Sequence, residues 1–182
     1  MKEQRVGGRQ GLVKLIGGMA ILLGGCFNAR PVNFPVDPIG GQSLNSSYAE
    51  MTPRISQRYI VFASDRKGNQ DIFLYDTVAQ RLVDLPGLNA LDTTESSPAI
   101  SEDGRYIVFA GSRQGRSGIY LYDRDFRQMR NLTANLQAEV RNPMISADGN
   151  TIVFETNLRG QWDILVYNRA GQPLPGLDIN PR

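Results

Sequence analysis

Apolar and polar positions alternate along this chain in a pattern that returns three times. Arg58-Tyr-Ile-Val-Phe62, Arg105-Tyr-Ile-Val-Phe109 and Asn150-Thr-Ile-Val-Phe154 are versions of one strand. Each is followed by a second apolar run: Asp71-Ile-Phe-Leu-Tyr-Asp76, Gly118-Ile-Tyr-Leu-Tyr-Asp123 and Asp163-Ile-Leu-Val-Tyr-Asn168. From the Phe to the closing Asp or Asn is 14 residues in every copy, and Ile60, Ile107 and Ile152 are spaced by 47 and 45. Short runs rich in β-branched and aromatic residues, bounded by turn signals, read as strands. A period of this size marks stacked or radially arranged supersecondary units. Beyond the first 25 residues no segment keeps a helical period.

Each unit divides further. Pro53-Arg-Ile-Ser56, Pro98-Ala-Ile-Ser101 and Pro143-Met-Ile-Ser146 predict short first strands, with Pro at the first position because no ladder donor is needed there. Glu102-Asp103-Gly104 and Ala147-Asp148-Gly149 predict tight turns into the second strand. In the first unit that turn shrinks to Gln57-Arg58, predicting a shorter or strained hairpin. Polar loops at 64–70, 111–117 and 156–162 precede the third strands. Fourth strands are expected at Arg81–Leu85, Met129–Thr133 and, weakly, Gln172–Leu174. The fold class is therefore all-β: three four-stranded antiparallel units over residues 51–182. One such unit buries too little surface alone and needs neighbours.

Charge changes the picture only after the first 25 residues are set apart. The chain has 182 residues and a formal net charge of +2, but Lys2, Arg5, Arg9 and Lys14 stand against Glu3 in that opening stretch. The remainder holds 16 basic and 17 acidic residues. A nucleic-acid partner needs a basic field, so none is expected. Histidine is absent, which removes the commonest general base and metal ligand. Cys26 is the one cysteine, so neither an intrachain disulfide nor a thiolate metal cluster is expected.

Residues 1–14 are basic, and 15–25 are uncharged and apolar or small. Eleven residues are too few to span a hydrocarbon core as a helix. A charged stretch, a short apolar one and small residues before a cut read as an export signal. Leu23-Gly-Gly-Cys26 resembles the bacterial lipobox. That resemblance implies cleavage after residue 25, lipidation at Cys26 and membrane attachment through the lipid; the alternative is a plain signal or uncleaved anchor with an incidental Cys. Phe27, where Asp would favour the inner membrane, favours the outer membrane in the same family. Residues 26–50, with Pro31, Pro35, Pro38, Gly40 and Gly41, are expected to form a flexible or extended tether.

The repeat carries a second resemblance. Pro-x-Ile-Ser-x-Asp-Gly, then Ile-x-Phe, Ser-x-Arg-x-Gly, Asp-Ile-x-x-Tyr-Asp and Leu-Thr are similar to the propeller repeat of the periplasmic TolB family, also called WD40-like or PD40. The match runs over about residues 52–180. It departs at Leu158, where Arg66 and Arg113 keep the loop arginine, and at Gly118, where Asp71 and Asp163 keep the acid. The resemblance implies a partial β-propeller. Closed propellers have four to eight blades. Leu174-Pro-Gly-Leu177 echoes Leu85-Pro-Gly-Leu88, and Asn180-Pro181 echoes Asn142-Pro143, so the phase predicts three whole blades. Two arrangements follow: a two-fold homodimer closing six blades by packing blade 3 of each chain on blade 1 of the other, or an open monomer with its ends covered by residues 27–50.

Recurrence also sorts the candidate chemistry. Asp103 and Asp148 sit in Asp-Gly turns, and Asp76, Asp123 and Asn168 close third strands, so turn roles are expected rather than acid–base work. Ser101 and Ser146 lack a nearby His or Lys to activate them. No catalytic residue, cofactor or metal is assigned; Asp71 and Asp163 with loop carbonyls are the weak cation alternative. What remains is a loop face carrying Arg66, Lys67, Arg113, Arg116, Arg141, Arg159 and Trp162, interleaved with Asp65, Asp92, Glu95 and Glu139. Arg and aromatic residues are enriched at recognition hot spots. The expectation is a non-catalytic, lipid-anchored envelope protein that binds another protein or an envelope polymer. A glycan- or small-ligand-binding accessory module is the alternative.

Overall fold

The computed structural model describes residues 42–175. The stretch read as an export signal, Cys26, most of the expected tether and the terminal residues 176–182 lie outside the described residues. Within them the chain forms eleven strands in three antiparallel sheets. Blade 1 is β1 (Glu50–Ser56), β2 (Tyr59–Ser64), β3 (Asp71–Asp76) and β4 (Arg81–Val83). Blade 2 is β5 (Thr94–Ile100), β6 (Tyr106–Arg113), β7 (Arg116–Asp123) and β8 (Gln128–Asn131). Blade 3 is β9 (Val140–Ile145), β10 (Thr151–Thr156) and β11 (Asp163–Asn168). Each sheet runs in sequence order, up and down.

Three expectations need correction. The first strands begin three or four residues before their prolines. Pro53, Pro98 and Pro143 sit inside them, at register shifts between Met51 and Arg54, between Ser96 and Ala99, and opposite Val153–Glu155. The residues before them, Thr52, Ser97 and Asn142, take φ of 47°, 48° and 50°. A bulge frees the proline nitrogen from the ladder, which is why Pro is tolerated mid-strand. The fourth strands are also shorter than expected, because Leu85–Leu88 closes a turn and the Thr133 hydroxyl, rather than a backbone carbonyl, accepts from Ile119 N–H. Blade 3 has three strands; its fourth is reduced to one bridge between Tyr167 and Pro173. The short Gln57-Arg58 hairpin occurs as expected, with Gln57 at φ 50°.

Strand alternation gives every blade two faces. The leading face of blade 1 (Val61, Ala63, Ile72, Leu74) packs with Leu88 on Ile100, Ile107, Phe109 and Tyr122 of blade 2. The leading face of blade 2 (Val108, Ala110, Ile119, Leu121) packs with Leu132 on Ile152, Phe154 and Tyr167 of blade 3. The core is thus two seams between sheets, each filled by interdigitated side chains. A clamp repeats at the turn end of each seam. The Tyr59 ring lies against Gly104 of the next blade and under the Arg124 guanidinium, 4.8 Å away. Tyr106 lies against Gly149 and under Arg169 at 4.5 Å. Both glycines have positive φ, 76° and 71°, and a Cβ on either would strike the ring. The Asp-Gly turns are therefore fixed by backbone conformation and by close approach together.

The outer face of blade 1 has its own cover. Gln42 O accepts from Leu82 N at the edge of β4, and Glu50 opens β1, so residues 42–49 cross the sheet. Between them and the stacked Phe62–Phe73 pair lies the Arg66 guanidinium, about 5 Å from both rings. It donates to Ser43 O, Leu44 O and Glu50 Oε1. Phe62 and Phe73 are buried as a result.

Candidate binding face

The repeated polar residues are consumed by turns. Ser101 Oγ donates to the Asp103 carboxylate and accepts from Tyr106 N–H at 2.9 Å; Ser146, Asp148 and Thr151 repeat the arrangement. The serine hydrogen bond, then the backbone N–H of Asn150, hold the Asp148 carboxyl down at about 2. Asp76 pairs with Arg58 and accepts from Val78 and Ala79 N–H, and Arg58 is the main reason its carboxyl also sits near 2. Asp123 pairs with Arg105 in the same way. Asn168 closes the corresponding turn in blade 3 by accepting from Gln172 N–H.

The hairpin loops after β2, β6 and β10 meet the interblade linkers. Asn69 Nδ2 donates to Leu91 O, Val140 N to Ser117 Oγ, and Glu139 and Asn157 exchange two hydrogen bonds. These contacts place the loops on one side of the blades. Arg113 lies there in an exposed pair with Asp92 at 2.5 Å, and Arg116 and Arg159 are exposed. Arg66 occupies the same repeat position as Arg113 but is withdrawn beneath residues 42–49, its side chain 5% exposed.

Arg141 and Trp162 come together as a pair of their own. The guanidinium stands 3.6 Å from the Trp162 ring centroid and bonds Glu155 Oε2 at 2.6 Å, while Asn142 Nδ2 holds Glu155 Oε1. In the sheet register Arg141 and Ile164 flank Glu155. The pair therefore sits on the leading face of blade 3.

Glu95, expected among the surface acids, is buried instead, 1% exposed at the seam between blades 1 and 2. Its Oε1 accepts from Ala90 N–H, and among the described residues Oε2 has no donor other than a proton held with the neighbouring Asp71 carboxyl. Asp71 is buried beside it, away from Asp163. Burial pushes the Glu95 carboxyl up to about 7, with Asp71 adding to the shift, and burial raises Asp71 as well. Two carboxyls with one proton between them fit this arrangement. The sequence signal for it was slight: an acid at the strand position that Val140 fills in blade 3.

No family model matches the sequence, and no curated protein matches it. Among solved structures it is similar to TolB from Acinetobacter baumannii, with 23% identity over 69% of this chain and 31% of that one, TM-score 0.55. It is similar to the β-propeller domain of the Trilobed protease from Pyrococcus furiosus, with 14% identity, 70% and 42% coverage and TM-score 0.53. A structure of a nidogen/laminin complex gives 13% identity, 69% and 46% coverage and TM-score 0.53.

The fold is a TolB-like β-propeller.

This chain spans less than half the length of each of those three. The bulged strands β1, β5 and β9 each lie at the edge of their sheet and neighbour one another across the blades. Their left-handed residues fall in equivalent places, and Ser97 Oγ bonds Asn142 Oδ1 across the blades at 3.2 Å. Arg159 and Trp162 share the hairpin between β10 and β11, so the Arg141–Trp162 pair lies where the loop side meets the leading face of blade 3.

Proposed function

We propose that this chain is a non-catalytic, lipid-anchored protein of the bacterial cell envelope whose propeller blades bind another protein or an envelope polymer. The supporting observation is the convergence of hairpin loops and linkers on one side, with exposed Arg113, Arg116 and Arg159 and, beside them on blade 3, the Arg141–Trp162 pair. Arginine and aromatic side chains supply most of the energy at many protein interfaces. A lipid on Cys26 would hold the blades near a membrane, with residues 27–41 as tether. Phe27 favours the outer membrane. The reading as non-catalytic draws on the occupied hydroxyls of Ser101 and Ser146 and on a sequence without histidine. A homodimer closing six blades would need the outer face of blade 1, which residues 42–49 already cross, so the reading is of an open monomer.

A second reading has one observation in its favour. A polar cleft of about 780 Å³ opens between the β6–β7 hairpin and the following linker, lined by Arg113, Arg116, Tyr120, Asn131 and Glu139 among others. Its size and polarity suit a glycan or small ligand.

Two measurements test these readings. Metabolic labelling with a palmitate analogue is expected to mark the wild-type chain and not Cys26→Ser; labelling of both rejects the lipid anchor. Crosslinking in the native envelope is expected to capture a partner that is lost in Arg116→Ala and Arg141→Ala/Trp162→Ala. A partner retained through all of these changes rejects the face, and a glycan-array signal from the same protein favours the cleft.

A further inference from the structure

The hairpin between β6 and β7 differs from those of the other blades. Its strands run on to Arg113 and Arg116 and turn through Gln114 and Gly115, both left-handed at φ 52° and 76°. Two such residues make the tight turn that suits a twisted ribbon. Blades 1 and 3 span the same place with the longer loops 65–70 and 157–162. The short turn sets Arg113 and Arg116 directly opposite each other. Like charges so placed across a ladder repel. Asp92 pairs with Arg113, but Arg116 is exposed and has no ion-pair partner among the described residues.

Alternation puts more on that face of the ribbon. Next to the arginines comes the Gly111–Gly118 pair, then Phe109 and Tyr120. Tyr120 stacks on Phe109 with centroids 5.5 Å apart, and its ring rests on the two glycines. A Cβ at 111 would stand 2.7 Å from that ring, and one at 118 would stand 3.1 Å from it. The equivalent pairs are Ser64 with Asp71 in blade 1 and Thr156 with Asp163 in blade 3. Gly118, where blade 2 lacks the acid of the other two, is thus what lets an aromatic ring lie there. A Cβ at 118 would also meet Asn131 Nδ2 at 2.9 Å, while the Asn131 oxygen accepts from Thr133 N–H.

Arg113, Arg116, Tyr120 and Asn131 line the cleft of about 780 Å³, whose other wall is the linker 133–139. Glu139 is the one acid of the lining, against two arginines, and amides and hydroxyls make up most of the remainder. Sites for apolar ligands are lined mainly by hydrophobic groups, and this one is not. An extended peptide would add to a free strand edge. Here the edge of β7 is taken at Ile119, whose N–H donates to Thr133 Oγ1 and whose carbonyl accepts from Leu132 N–H. A hydroxyl-rich ring suits the tyrosine and the amides, and a carboxylate suits the guanidinium fork.

Resting on the reading of this cleft as a ligand site, we propose that it binds a saccharide bearing a carboxylate. The acid sits on Arg116 and Arg113, and the sugar ring lies against Tyr120 and the amides of Asn131 and Asn135.

Calorimetry on the full-length chain in detergent tests this, with oligogalacturonate, N-acetylmuramic acid and sialyllactose, each beside its methyl ester. At least one acid is expected to bind about tenfold or more tighter than its ester, the worth of one charge-assisted contact. Arg116→Gln is expected to erase that difference and leave ester binding as it was. Asn135→Asp, which adds a like charge to the exposed linker, is expected to weaken the acid alone. Tyr120→Leu, which copies Leu165 of blade 3, is expected to weaken acid and ester together. An ester that binds as well as its acid overturns the carboxylate and leaves the cleft a ligand site. An acid preference that survives Arg116→Gln overturns the proposal as well. Absence of binding by every acid and ester removes the reading of the cleft along with it.

Discussion

Burial sets the chemistry of Glu95 more than any neighbour does. Its carboxyl is raised from 4.5 to about 7, because the seam between blades 1 and 2 removes it from water and Asp71 disfavours a second negative charge. The folded chain therefore holds a proton that the unfolded chain gives up above about pH 4.5. Stability from this site is complete below that value and is lost as pH rises through about 7. Asp76 and Asp148, near 2, do the reverse and weaken the fold only in strong acid. Thermal unfolding between pH 5 and 8 is thus expected to show a falling midpoint, and Glu95→Gln to flatten that fall. A wild-type midpoint that rises across the same interval would count against a proton held at Glu95.

The segment 42–49 decides what its neighbours do. Arg66 and Arg113 hold the same place in the repeat, yet one is clamped under that segment and the other reaches solvent. Removing Arg66 leaves the Glu50 carboxylate without its guanidinium and uncovers two phenylalanines. Arg66→Ala is expected to cost about 2–4 kcal/mol in chemical denaturation and to open 42–49 to protease. Arg113→Ala, in an exposed pair, is expected to cost less than about 0.5 kcal/mol. Equal costs would deny the segment its role. Here the legibility of the sequence divides cleanly. Local pattern gave the strands, the Asp-Gly turns and the serine and aspartate roles, because each rests on contacts within a few residues. It misplaced Arg66 and Glu95, because their surroundings come from residues distant in the chain: 42–49 for one, the preceding blade for the other. The proline bulges were missed for a subtler reason. A proline is equally compatible with a strand's start and with a bulge inside it, and only the pairing partner distinguishes them.

At the scale of the molecule, stability lives in the seams. Blade 2 takes part in both, so among the described residues neither hydrophobic seam forms without it. Light scattering on the full-length chain, with detergent subtracted, is expected to give the mass of one chain at tens of micromolar; a two-chain mass would restore the six-bladed ring. The outer blades differ from the middle one in an instructive way. Blade 1 carries Arg66 and its strap on one side, and blade 3 carries Glu155 and Thr151 on the other, while blade 2 has a complete set of packing residues on both. Its leading face is also nearly that of blade 1, valine for valine, alanine for alanine, tyrosine for tyrosine. A gene in which residues 94–138 were copied in tandem would therefore encode a longer array whose new junction is already solved. Such an array could grow by duplication of its centre while both ends stayed as they are.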